Sequence, residues 1–473
     1  MQELSSGQKL EKKLARQERK VWDKITAAQR EEIFQLGEEY KSFLDRAKTE
    51  REAVESIIEH AKAAGFLALD TIEENGKLNP GQRFYLVNRG KMVILGVAGH
   101  APISQGVRLV GSHLDAPRLD LKPNPLYESE GFGLLKTHYY GGIKKYQWTA
   151  IPLAIHGVVI NSRGEKITFN VGEKPGDPVF TITDLLPHLA KEQMKKTMGE
   201  AIPGENLNLL VASIPHADEE VKERVKLAVL EYLHQQYGLV EEDLISAELE
   251  VVPAGEARDI GFDRGLIGAY GQDDRVCVFP SLKAVCELKT PTKTALALFV
   301  DKEEIGSTGN TGAQSRFLEY ALSRLCALAG LQGPQAVLTV LANSQALSGD
   351  ANTAEDPNYE GVLDKRNAAG LGRGVVITKY TGAGGKYEAN DAHAEFVGEI
   401  RNLFNRNGVI WQIGELGKVD QGGGGTIAQF LANLGIETLD CGPALLSIHS
   451  PLEIASKADV YMAYKAYKVF LEQ

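Results

Sequence analysis

Cysteine is scarce in this sequence. The 473 residues hold four, Cys277, Cys286, Cys326 and Cys441, widely spaced and without a CxxC pair. That argues against a disulfide framework or a thiolate metal site and for a reducing, cytoplasmic setting. Long apolar runs are missing too. None reaches the roughly eighteen residues of a membrane span, and the charged start from Met1 to Lys20 lacks the apolar segment of a secretion signal. Positive charge is in deficit: Lys plus Arg is 52 against 63 for Asp plus Glu, a formal net charge of −11. A chain this acidic is poorly suited to a polyphosphate backbone, so neither nucleic acid nor a membrane is an expected partner. The sequence has no internal repeat and no low-complexity linker. It also lacks a phosphate-binding loop, because Thr426, not Gly-Lys-Ser/Thr, follows the run Gly422 to Gly425.

What is present suffices for a large soluble fold. Hydrophobic residues make up 43% of the chain, enough to bury a sizeable core. The length exceeds one ordinary core and predicts two domains or a core with a large insertion. Glycine is plentiful, at 49 residues, many of them beside His, Asp or Glu.

Residues 1–65 read as helical. Val54, Ile57, Ile58 and Ala61 have the spacing of one buried helix face. The mixed charges from Gln8 to Lys20 suit a solvated helix, or an arm that contacts another subunit. The apolar runs 84–87 and 92–95 flank a turn and predict a hairpin. Strand 107–110 runs directly into Gly111-Ser112-His113.

Residues 120–258 have a different texture. Strands are expected at 151–160, 166–171 and 249–252, and an amphipathic helix carrying Val221, Val225, Ala228, Val229 and Tyr232 ends at Gly238. This segment is expected to be an inserted domain. From 260 onward strands and helices alternate. Strands are expected at 295–300, 337–341, 375–378 and 409–413, and helices at 315–329, 427–434 and 458–471. Alternation of this kind predicts an α/β fold with a largely parallel central sheet.

In such folds ligands sit at the carboxyl ends of the strands. Five segments expected there carry metal-type residues: His113-Leu114-Asp115, Gln272-Asp273-Asp274-Arg275 before a strand expected at 276–279, Asp301-Lys302-Glu303-Glu304-Ile305-Gly306, Ser348-Gly349-Asp350 and Ser447-Ile448-His449-Ser450. Any one alone is ordinary, since single histidines and paired acids are mostly solvated or hydrogen-bonded. Together they make an inventory. Two divalent ions about 3.5–4 Å apart need a bridging carboxylate, a His and a further carboxylate each, and one unligated carboxylate to take a proton from the attacking water. An acid two residues after a ligand His can accept its other ring N–H. The donors are nitrogen and oxygen, which suit zinc, cobalt or manganese. The residues leave open whether Asp273 or Asp274 bridges.

The chain resembles the aspartyl aminopeptidase-type (aminopeptidase I) family of cocatalytic zinc metallopeptidases. The matching pieces are the segment from Gly111 to Arg118, the Asp273 segment, the segment from Asp301 to Ser307, Ser348-Gly349-Asp350, and the segment from Leu446 to Ser450, in the family's order. The resemblance implies two metal ions per subunit held by His113, Asp273, Glu304, Asp350 and His449. It implies Glu303 as general base and Asp115 as the residue that orients His113. It further implies a metallopeptidase domain formed by residues 1–119 plus 259–473. Residues 120–258 would be a β-rich dimerisation domain, and the assembly a homododecamer built from dimers. His156 matches a family His that reaches a neighbouring subunit's site. Lys386 lies where the family places a basic residue, which would hold an acidic N-terminal side chain. Gly442 is read as a turn that lets the substrate backbone approach. The chain departs from the family pattern at Asp274, where Asn is usual, at Thr353, where His is frequent, and from Tyr140 to Trp148. The activity implied is removal of N-terminal residues from peptides, acidic ones among them. A glutamyl or leucyl aminopeptidase, a deacylase, and a non-catalytic metal-stabilised assembly are the alternatives.

Overall fold

The computed structural model describes residues 5–74 and 76–473. The first four residues of the charged start lie outside the described residues. Within it, the helix Ser6–Leu14 is exposed along its whole length, and Ser5 and Gln8 close its first turn in a capping box. The chain leaves the helix at Ala15, earlier than the charge pattern suggests.

Nine strands form one sheet, in the spatial order Leu67–Ala68, Arg83–Asn88, Met92–Val97, Thr294–Val300, Val107–His113, Gln345–Ser348, Glu437–Gly442, Val375–Thr378 and Trp411–Ile413. The four central strands, from Thr294–Val300 to Glu437–Gly442, run parallel. Thr294–Val300 and Val107–His113 are buried at every position. Burial on both faces is why these strands read as unbroken apolar runs. One face is covered by Ala27–Arg46, Glu50–Ala63, Gln272–Glu287 and Lys457–Leu471, which bring Tyr40, Phe43, Ile57, Phe279 and Tyr467 into one core. The other is covered by Phe317–Leu328, Pro334–Ala342 and Ala428–Asn433, around Leu109, Leu298, Leu322 and Leu431. Each such side chain contributes about 1.5–3 kcal/mol on burial. The fold is thus α/β, with a central, largely parallel sheet flanked by helices.

Six further strands form an antiparallel sheet in the order Lys166–Val171, Leu153–Ile160, Ala247–Pro253, Arg118–Ser129, Phe132–Tyr140 and Leu209–Ala212. The helix Arg224–Tyr237 packs on it and ends at Gly238 in the left-handed conformation. It has its own apolar core around Trp148, Leu153, Leu209 and Val251. Buried charges tie this sheet to Glu50–Ala63: Arg118 lies 2.8 Å from Asp120, 3.1 Å from Glu250 and 3.7 Å from Glu50. A smaller third sheet joins Arg258–Ile260, Leu266–Ala269, Glu453–Ser456, Ala444–Leu446 and Asn352–Thr353. No helix among the described residues is long and apolar enough to cross a membrane.

Two local expectations fail. Residues 337–341 are not a strand. They lie in the helix Pro334–Ala342, where Pro334 occupies the first turn after Gly333, and the strand comes next, at Gln345–Ser348. Short apolar runs do not distinguish a buried strand from a buried helix. Residues 276–279 likewise belong to a helix, Gln272–Glu287. Every residue from Gln272 to Leu282 in it is buried, so the polar face that would mark a helical period is missing.

Candidate metal centre

The parallel strands bring the first ligand candidates together by register. His113 ends its strand opposite Val300, the last residue of Thr294–Val300, and Ser348 pairs with Gly111. Asp301 to Glu304 and Asp350 therefore leave the sheet beside His113. Asp273 reaches the same place from the start of the helix Gln272–Glu287, which packs against these strands. His449 arrives from the loop between Ala444–Leu446 and Glu453–Ser456, in a left-handed backbone conformation.

The Asp273 carboxylate lies between two imidazoles. Its Oδ1 is 3.2 Å from His113 Nε2, and its Oδ2 is 3.4 Å from His449 Nε2. On the His449 side, Glu304 Oε2 stands 3.4 Å from the same nitrogen. On the His113 side, Asp350 Oδ1 is 3.8 Å and Glu303 Oε2 is 3.9 Å from Nε2. Asp274 plays a different part. Its Oδ2 accepts the backbone N–H of His113 at 3.3 Å. His113, Asp273 and Glu304 are grouped closely enough to hold an ion, and so are His113, Asp274 and Asp350.

Two carboxylates brace this group from behind. Asp115 Oδ1 accepts the backbone N–H of Glu303 and its Oδ2 that of Glu304, each at 3.1 Å. Tyr140 Oη donates to Asp115 Oδ2 at 2.8 Å. His113 Nδ1 lies 3.0 Å from the Asp115 backbone carbonyl oxygen and 3.4 Å from Asp115 Oδ1. One residue thus holds both the His113 ring, chiefly through its carbonyl, and the Glu303-Glu304 turn, through its carboxylate. Glu453 does the same on the other side, accepting the N–H groups of Asp273 at 3.0 Å and His449 at 2.7 Å. The outer ring nitrogen of His449 is 2.9 Å from the carbonyl of Gly142. Glu453 and Tyr140 were not legible as site residues. Glu453 stands on a short apolar strand like any buried polar residue, and Tyr140 lies in the segment where the family pattern is lost.

The donors fit divalent cations. Asp273 Oδ1, Asp274 Oδ1 and Glu304 Oε1 are buried with no hydrogen-bond partner among the described residues, a costly state unless a cation meets them. Burial, and then repulsion from Asp350, Asp115 and Asp273 against the pull of His113, pushes Glu303 up to about 8. Burial and the neighbouring Asp273 push Glu304 well above the carboxylate range. Asp273 is held below that range, despite burial, by the adjacent imidazoles of His113 and His449. Carboxylates outnumber imidazoles here, and bound cations would supply the missing charge.

Three other candidate residues do not join the cluster. His156 is buried, with Nδ1 2.8 Å from Glu52 Oε1 and Nε2 3.1 Å from Glu173 Oε1, among the charges that tie the antiparallel sheet to Glu50–Ala63. Lys386 is exposed, paired with Asp391 at 2.8 Å and stacked over the Tyr380 ring at 3.8 Å. Gly442 ends a buried strand. A Cβ there would come within 2.1 Å of the Asp350 carbonyl oxygen and 2.8 Å of Cys277 Sγ. What approaches Gly442 is this chain's own backbone at Asp350.

A cavity of about 700 Å³ opens in front of Asp273, Glu303, Glu304, Asp350 and His449. Part of its wall is the glycine run 422–425. A Cβ on Gly423 would lie 1.8 Å from the Gly382 carbonyl oxygen, so these glycines let two loops meet backbone to backbone. Thr426 hydroxyl accepts the Ala428 N–H at 3.2 Å and donates to Asp440 at 2.8 Å.

The family described as aminopeptidase I zinc metalloprotease (M18) matches residues 43–471. The chain belongs to the M18 aminopeptidases. It is a zinc-dependent metalloaminopeptidase, a hydrolase. A probable M18 family aminopeptidase 1 of Clostridium acetobutylicum is 47% identical to this aminopeptidase over 459 residues, spanning 97% of this chain and 99% of the relative. The crystal structure of the M18 family aminopeptidase from Thermotoga maritima superposes with a TM-score of 0.93 at 48% identity, covering 97% of this chain and 99% of that one. The S. cerevisiae mApe1 dodecamer shares the fold, with a TM-score of 0.74 at 24% identity over 92% of this aminopeptidase and 96% of that chain.

Proposed function

We propose that two divalent ions, zinc in the first place, occupy this centre, bridged by Asp273. His113 and Asp350 hold one ion, Glu304 and His449 hold the other, and Glu303 serves as general base. The observation that carries the reading is the Asp273 carboxylate, which turns one oxygen toward each of two imidazoles. Bound ions would polarise the scissile carbonyl and activate the attacking water.

The protein residues do the rest. Asp115 orients His113 and, through the backbone N–H groups of Glu303 and Glu304, fixes that turn against the sheet end. Glu303 thereby presents Oε2 beside His113, takes a proton from the attacking water and returns it to the leaving amine. The cavity in front of the centre would receive the N-terminal residue of the substrate. The substrate is a peptide with a free α-amine. Assays of the zinc-loaded chain on free and N-blocked peptides test this: cleavage of free peptides alone is expected, and cleavage of blocked ones would make it a deacylase.

The chain is also proposed to self-assemble in the cytoplasm as a homododecamer of dimers. Residues 1–119 plus 259–473 would form the metallopeptidase domain and residues 120–258 the dimerisation domain. The separate sheet and core of the second segment support that division, and the yeast neighbour named as a dodecamer supports the assembly. A solution mass of one subunit at micromolar concentration would contradict it.

A further inference from the structure

The segment proposed for dimerisation also reaches the metal centre. Its strand Phe132–Tyr140 ends beside Arg118, with which Tyr140 pairs in register. The chain then turns through Gly141 and Gly142 and enters the short helical turn Lys145–Trp148, whose Trp148 is buried in the core of the antiparallel sheet. Tyr140 to Gly142 is thus a strap held by that sheet at both ends.

Each residue of the strap meets a different part of the centre. Tyr140 Oη donates to Asp115 Oδ2 at 2.8 Å, and the same carboxylate accepts the N–H groups of Glu303 and Glu304. The Arg118 guanidinium lies 3.9 Å over the Tyr140 ring and holds its plane. Gly141, with a φ of 71°, packs on Glu304: a Cβ there would come within 3.2 Å of Glu304 Cβ and 3.4 Å of its Oε2. The Gly142 carbonyl stands 2.9 Å from His449 Nδ1. A proton held on that nitrogen leaves the Nε2 lone pair for an ion. Consecutive residues of one segment therefore touch the His113 side of the centre, through Asp115, and the His449 side, through Glu304 and His449 itself.

We infer that Tyr140, Gly141 and Gly142 form a positioning strap for both metal ions, so that residues 120–258 set zinc affinity and turnover in addition to their proposed part in assembly. The inference rests on the reading of the Asp273 cluster as a two-ion centre.

Two variants of the full chain test the strap. Tyr140→Phe removes the hydroxyl and keeps the ring under Arg118. Both zinc ions should stay bound, and kcat should fall about 10–100-fold with KM unchanged, because the Glu303 turn loses part of its brace. Gly141→Ala pushes a methyl group toward Glu304. Chelator competition and elemental analysis should show one of the two zinc ions held about 10–100-fold more weakly. Excess zinc should restore turnover in Gly141→Ala and leave Tyr140→Phe unrestored. A merely structural role predicts a lower melting temperature with both zinc affinities and kcat intact. That result in Tyr140→Phe would overturn the inference, whether or not Gly141→Ala folds. A wild-type chain that binds fewer than two zinc ions would instead overturn the two-ion reading, and the strap with it.

Discussion

Glu453 Oε2 accepts the backbone N–H of Asp273 at 3.0 Å. Its other oxygen accepts the N–H of His449. A single carboxylate thus fixes the proposed bridging acid and a proposed ligand on the far side of the same centre, although the two are remote in sequence.

Glu453→Ala should therefore lower zinc affinity about 10–100-fold, the usual cost of losing a group that orients ligands. Chelator competition measures it, and excess zinc should restore part of the activity. Glu453→Gln keeps one acceptor and should fall between the two. Unchanged affinity in the alanine variant would refute the clamp.

Glu303→Gln tests the general base. The amide preserves shape and cannot take the proton, so kcat should drop about 10²–10⁴-fold. Zinc content by elemental analysis should stay at the wild-type level. Undiminished peptidase activity with metal bound would remove Glu303 from the mechanism.

Gly442→Ala places a methyl group 2.1 Å from the carbonyl oxygen of Asp350. Strand and loop must separate, at a cost of about 1–3 kcal/mol for overpacking. Thermal melts should show the loss. Zinc affinity should fall with it, because Asp350 moves with its backbone.

The buried His156 predicts a pH dependence. Burial disfavours its charged form, yet hydrogen bonds to Glu173 and Glu52 hold its pKa above the ordinary value. Both ring nitrogens face carboxylates, so the imidazolium, which donates twice, suits the site. A raised imidazole pKa contributes stability that is fully present below the unfolded value of about 6.5 and is lost as pH rises through the folded one. Glu52 and Glu173, held low despite burial by His156 and, for Glu173, by Lys48, contribute stability above about 4.3 that is lost as pH falls through their folded values. His156→Gln should thus be most destabilising near neutral and mildly acid pH. Its deficit should shrink as pH rises through the raised folded-state value. Denaturant unfolding across that range checks the sign.

Much of the centre is legible in the sequence. His113, Glu303 and Glu304 each follow an apolar strand, and in a parallel sheet such strands end together; Asp350 follows the short strand Gln345–Ser348 instead of the apolar run at 337–341. Asp273 is legible as a residue type but not in its setting, because the helix that carries it is buried on all sides and lacks a polar face. The strand expected at 337–341 fails for a related reason: a short apolar run fits either structure.

Fold class, metal-type residues and family all follow from the order of residues alone, since they rest on local pattern and on motifs that keep their order along the chain. How the pieces meet is settled by the folded chain. Folding turns Asp273 rather than Asp274 toward both imidazoles. It places Glu453 and Tyr140 behind the ligands, sends His156 into an ion cluster, and leaves Lys386 paired with Asp391. These are contacts between segments far apart in the chain. The register of the sheet and the packing of loops on it set such contacts, and no short stretch of residues records them.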